Sequence, residues 1–108
     1  MATNKDFLKY VTAQLAGLDV RFRPMMGEYL VYYRDKLIGG LYDNALAVKD
    51  VSAARALMPE VKPEPPYEGA KGALFVDRVD DRAFLAELFE AMYPELPAPK
   101  PKKARIAK

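Results

Sequence analysis

From Val20 to Asp50, apolar and polar positions alternate at the period of two that a β-strand imposes, broken at short intervals by turn-forming residues. Val20, Phe22, Pro24 and Met26 alternate with Arg21, Arg23 and Met25, which predicts a first strand. Pro24 cannot donate a ladder hydrogen bond, so this strand belongs at a sheet edge or at a bulge. Gly27 suits a turn or bulge whose backbone angles Met26 and Glu28 would resist. Tyr29 to Tyr33 and Leu37 to Tyr42 predict two further strands around the polar run Arg34-Asp35-Lys36. Gly39 and Gly40, inside the third strand, imply close approach of another backbone or of a helix. Asp43-Asn44 suits a two-residue hairpin turn, because both residues tolerate positive φ, and Ala45 to Lys49 follows as a short fourth strand.

A helical period frames this meander. Phe7, Leu8, Val11, Leu15 and Leu18 form one apolar stripe, with Thr3 or Asn4 as cap, Asp6 in the first turn and Gly17 after the last. Val51, Ala54, Leu57 and Met58 predict a short middle helix, capped by Asp50 or Ser52 and stopped by Pro59. The stretch VKPEPPYEGAKG, residues 61–72, is too rich in proline and glycine for regular structure. A loop of that length in a small domain is functional or mobile. Ala73 to Val79 predicts a last strand, with Leu74 and Val76 on one face and Phe75 and Asp77 on the other. Asp80 or Asp81 then caps a final helix whose apolar face is Phe84, Leu85, Leu88, Phe89 and Met92. The expected architecture is α+β: an antiparallel sheet of four to five strands packed with N-terminal, middle and C-terminal helices.

Charge divides the chain. Lys100, Lys102, Lys103, Arg105 and Lys108 place five of the 17 basic residues in the last nine positions, leaving 12 against 15 acids before them, a net of −3. The expected organisation is a mildly acidic domain over residues 1–96 and a disordered basic tail over 97–108, where proline, lysine and alanine offer no core. The tail is either a solubilising segment or a weak, salt-sensitive attachment to nucleic acid. No apolar stretch approaches the ~20 residues that span a bilayer, and no signal peptide is visible. A cytoplasmic location is therefore expected.

Composition removes much chemistry. With neither histidine nor cysteine, Ser-His-Asp and Cys-His nucleophile systems are impossible, and zinc, copper and haem lose their usual ligands. The only serine, Ser52, stands at a helix start, where capping explains it. Asp77, Asp80 and Asp81 are close in sequence, but a strand end and a helix cap account for them better than a hard cation does. Phosphate-cradling loops of the GxxxxGK[ST] and GxGxxG types are absent. The expectation is a protein that is not an enzyme, with no cofactor and no metal.

What remains is surface. Tyr29, Tyr32, Tyr33 and Tyr42 crowd the predicted sheet, where tyrosine serves core packing, a partner surface or, on a basic face, base stacking. Arg21 and Arg23 project from one side of the first strand and are either solvated or directed at an acidic partner. Arg21, Arg23, Tyr29, Tyr32 and Tyr67 are the candidate partner-binding residues; Lys100, Lys102, Lys103, Arg105 and Lys108 are the candidate nucleic-acid contacts. A strand edge near Pro24 makes a homodimer a further expectation.

The run MMGEYLVYYRDKLIGGLYDNALAVK resembles the N-terminal domain of the TfoX (Sxy) competence regulators. The resemblance rests on Arg23, Met25, Met26, Gly27, Glu28 and Tyr29, on the Asp35-Lys36 and Asp43-Asn44 turns, on Lys49 and on Pro66-Tyr67-Glu68, and it covers about Asn4 to Tyr93. Met26 stands where that family usually has phenylalanine, and Glu28 and Leu30 replace frequent glycines. The second, helical domain of the full-length regulators has no counterpart here. The resemblance implies a curved antiparallel sheet on helices, related to secretion-chaperone-like folds, without catalytic residues or cofactor. It also implies a protein partner within the transcription machinery and an accessory role in transcription or competence.

Overall fold

The computed structural model describes residues 3–67 and 69–97. Five strands form one open antiparallel sheet in chain order: β1 (Val20–Met25), β2 (Glu28–Tyr33), β3 (Lys36–Leu41), β4 (Leu46–Lys49) and β5 (Ala73–Phe75). Three helices join it: α1 (Lys5–Gln14), α2 (Ser52–Leu57) and α3 (Arg82–Met92), the last running into a 3₁₀ turn over Tyr93–Glu95. The α+β class and the meander expected from the sequence are both present.

The period of two explains the sorting of side chains. Directly opposed residues of an antiparallel pair share a face. The register Val20↔Tyr33, Phe22↔Val31 and Tyr29↔Leu41 collects one face, continued by Leu46 and Val48 on β4 and Leu74 on β5. Val31, Tyr33, Leu41, Leu46, Val48 and Leu74 are all buried. On them lie Val11 of α1 and Leu15 at its end, Ala54 of α2 and Met58 at its end, and the whole predicted stripe of α3, which is buried from Phe84 to Met92. All three helices thus cover one side of the sheet. A bulge between Val31 and Tyr32 and their β3 partners sends Ile38 into the same core.

The local signals that act through the backbone are met. The Asn4 side chain accepts from the Phe7 N–H at 2.8 Å and caps α1; Asp81 accepts from the Phe84 N–H at 3.1 Å and caps α3. Asp43 and Asn44 both hold positive φ, 52° and 61°, in the hairpin turn between β3 and β4. β1, with Pro24, is an edge strand.

Several expectations are corrected. Met26 is not a strand residue: it takes φ 52° beside Gly27 at 88° and forms the two-residue turn between β1 and β2. Ser52 does not cap α2; Val51 occupies the cap position without a side-chain bond, and the free Ala53 N–H donates to the Glu95 carboxylate at 2.8 Å. Gly39 does meet another backbone, since a Cβ there would lie 2.0 Å from the Ala47 carbonyl oxygen. At Gly40 a Cβ would lie instead 2.6 Å from the ring of Tyr42. The last strand is shorter than its apolar pattern, ending at Phe75, and Glu64 in the loop pairs with Ala73 through two 2.8 Å backbone bonds. That bridge covers part of the β5 edge. The basic tail from residue 98 onward lies outside the described residues.

Candidate functional site

The helix-free face of the sheet carries Arg21, Arg23, Met25, Glu28, Leu30 and Tyr32 at one end, set there by the register Arg21↔Tyr32, Arg23↔Leu30 and Met25↔Glu28. Gly40, Ala47 and Phe75 continue it across β3 to β5 through the pairs Leu30↔Gly40, Gly40↔Ala47 and Ala47↔Phe75. Glycine and alanine leave the middle of this face low. The Tyr42 ring fills the space above Gly40 and is itself buried. Tyr67, from the proline-rich loop, lies against Tyr42 with ring centroids 5.8 Å apart and planes tilted by 50°.

Beside this pair runs a groove of about 600 Å³, walled by Met25 and Met26, by Glu28 and Asp43 at its polar end, and by Tyr42, Pro66 and Tyr67. Two hairpin turns and the loop meet here. Met26 is 95% exposed and Tyr67 is 54% exposed. A methionine held in the open by a turn, next to a half-exposed tyrosine, is a contiguous apolar feature that water does not favour.

A polar lock sets this corner. Glu28 accepts from the Thr3 hydroxyl at 2.8 Å and from the Asp43 N–H at 3.0 Å. Thr3 in turn accepts from the Asn44 N–H, and its own N–H donates to the Gly27 carbonyl. Asn44 accepts from the Asn4 N–H at 2.9 Å. The chain entering α1 therefore ties both turns together and fixes the groove's polar end. Burial, followed by the neighbouring Tyr67 and Glu28, raises the Tyr42 phenol above its ordinary value, so the ring stays neutral.

The five residues expected to bind a partner fall in three places. Arg21, Arg23 and Tyr32 share a cleft with Phe22 and Leu18 at the β1 edge, and the Arg21 guanidinium sits 5.5 Å from the Tyr32 ring centre. Tyr29 faces the opposite way and packs against the core. Tyr67 belongs to the groove. Met26 and Tyr42 are the residues that sequence reasoning missed there; the pair Met26-Gly27 between two alternating runs was the available signal for a turn. Lys100, Lys102, Lys103, Arg105 and Lys108 lie outside the described residues. Tyr33 and Tyr93 are absorbed in a second lock: Tyr33 and Arg34 both donate to Glu90, and the Tyr93 hydroxyl donates to Asp35 at 2.6 Å.

Among the described residues no three acidic side chains are placed to hold a metal ion, and no helix is long and apolar enough to cross a membrane. Asp81, from the acidic trio noted in the sequence, is occupied as the α3 cap.

The fold and this face define a small two-layer α+β protein with an open sheet carrying helices on one side only. No family model matches the chain, and no solved structure matches it. An uncharacterised 12.7 kDa protein from the trpE 5′ region of Spirochaeta aurantia is 36% identical over 107 residues, spanning 97% of this chain and 93% of that one. The chain belongs to the family of that protein.

Proposed function

We propose that this chain is a non-enzymatic protein-interaction module, similar to TfoX N-terminal domains, that meets a partner protein at the Met26–Tyr67 groove and serves as an accessory in transcription regulation. The observation that carries this reading is the shared groove of two large exposed apolar side chains, Met26 and Tyr67. Methionine adapts its shape to a partner, and tyrosine supplies contact area with little entropy to lose, which suits both to an interface. The absence of histidine and cysteine fits a role in binding. A cytoplasmic location goes with the same reading.

The test is capture from a native lysate by the full chain and by the double variant Met26→Asp, Tyr67→Asp. Aspartate tolerates the positive φ of position 26, so the variant should keep the fold. A component of the transcription machinery retained by the parent chain and lost by the variant supports the proposal. Equal recovery by both chains overturns it.

The charge at the end of the chain favours a second reading, weak binding of nucleic acid through Lys100, Lys102, Lys103, Arg105 and Lys108. A mobility shift at low salt that disappears on deleting residues 97–108 supports it. No shift with the full chain at low salt removes it.

A further inference from the structure

A second cleft adjoins the groove on the other side of Pro66 and Tyr67, and its chemistry differs. It encloses about 670 Å³, with Lys49, Lys71, Asp50 and Glu95 around it and the rings of Tyr42 and Tyr67 on one wall. The register places Lys49 there: it pairs with Ala73 and shares the helix-free face with Ala47. Lys71 arrives from the loop, two residues before β5 begins.

The two acids of the cleft are occupied elsewhere. Asp50 takes the Arg55 guanidinium in a forked pair at 2.5 and 2.7 Å, and Glu95 accepts from the Ala53 N–H. Among the described residues neither Lys49 nor Lys71 has an ion-pair partner. Burial, with the like charge of Lys71 second, pulls the Lys49 ammonium below the usual lysine range. Arg55 offsets Asp50, so two ammonium groups face the one remaining carboxylate, Glu95, and leave an excess of positive charge that a bound anion would relieve.

We propose that this cleft binds a small ligand bearing an oxyanion, a phosphate monoester or a carboxylate, held between Lys49 and Lys71 with its apolar or planar body against the Tyr42–Tyr67 pair. Lysine ammonium groups bind such oxygens through charge-assisted hydrogen bonds, and the half-exposed Tyr67 ring, tilted against Tyr42, offers an apolar wall. The site shares Tyr42, Pro66 and Tyr67 with the proposed protein interface. Its lysines are not in the Met26 groove, so replacing Lys49 or Lys71 tests the ligand site without touching the residues of that interface.

The test is an amide NMR titration of the full chain at low ionic strength. Inorganic phosphate, adenosine monophosphate and benzoate are the separate probes, with sodium chloride at matched ionic strength as control. Saturable shifts centred on Lys49, Lys71 and Gly72 are expected. Preference for adenosine monophosphate over benzoate assigns a phosphate ester, and the reverse assigns a carboxylate. Removing one cation should weaken the apparent affinity roughly tenfold in Lys71→Ala and in Lys49→Gln. Lys9→Ala, on α1 and away from the cleft, should leave it unchanged. Shifts no larger than those of chloride overturn the proposal, as does an affinity unchanged in both Lys49→Gln and Lys71→Ala.

Discussion

The Glu28 carboxylate accepts a hydrogen bond from the Asp43 backbone N–H at 3.0 Å, joining the first hairpin of the sheet to the turn of the third. The same oxygen takes the Thr3 hydroxyl, so one side chain anchors the start of α1 as well. A glycine at this position could do none of this. Glu28→Ala should therefore destabilise the chain by about 1–3 kcal/mol, because it strips a charged acceptor from two donors at once. Urea unfolding followed by circular dichroism measures it. A loss below experimental error would show that water replaces the carboxylate freely.

Gly39 and Gly40 are adjacent but should respond differently to alanine. At Gly39 the new methyl group would strike the Ala47 carbonyl at 2.0 Å, and backbone in a sheet cannot step aside without breaking the ladder. At Gly40 it would strike the Tyr42 ring, which can swing outward. Gly39→Ala should cost about 3 kcal/mol, at the upper end of overpacking effects, and Gly40→Ala about 1 kcal/mol. Gly40→Ala should also leave Tyr42 more exposed. Equal losses in thermal melts of the two variants would contradict this.

The 3₁₀ turn that follows α3 caps α2. Glu95→Ala removes the acceptor for the Ala53 N–H and should cost about 1 kcal/mol, the ordinary worth of an N-cap. Ser52→Ala should be close to neutral, because no side-chain bond is made at that helix start. Unfolding midpoints of the two variants give the comparison. The reverse order would return the capping role to Ser52.

Three of the seven tyrosines should titrate late. Tyr33 is raised chiefly by burial and then by its bond to Glu90, Tyr42 by burial, and Tyr93 by its bond to Asp35. A phenol whose folded value is raised contributes stability that is complete below its unfolded value, near 10.0, and is lost as pH climbs through the folded value. Phenolate absorbance should thus show these tyrosines ionising above that value, with stability falling over the same alkaline window. Replacing Tyr33 by phenylalanine should remove one late step. Simultaneous titration of all the tyrosines near 10 in the folded chain would refute the assignment.

Much of the fold was legible because it rests on short-range rules. Alternation along Val20 to Lys49 carried strand identity, and Asp43-Asn44 carried a turn, because φ preferences act within one or two residues. The α3 stripe was equally readable, since its 3.6-residue period needs only a core on one side. The candidate site was less legible. Arg21 and Arg23 lie on one side of β1 as their alternation implies, and strand pairing brings Tyr32 to them, whereas Tyr29 turned to the core and Tyr67 joined Met26 and Tyr42, which are distant in sequence.

By itself, then, the sequence determined the elements, their order, the core stripes and the absence of histidine and cysteine chemistry, all properties of residue type and local spacing. Tertiary structure decided what depends on contacts between distant segments. Glu95 rather than Ser52 serves α2; Glu28 ties the Asp43 turn to the chain start; Tyr42 covers Gly40; and the loop brings Tyr67 to both clefts and Lys71 to one. Each of these joins groups at least 15 residues apart or places a side chain by packing, which no local pattern encodes.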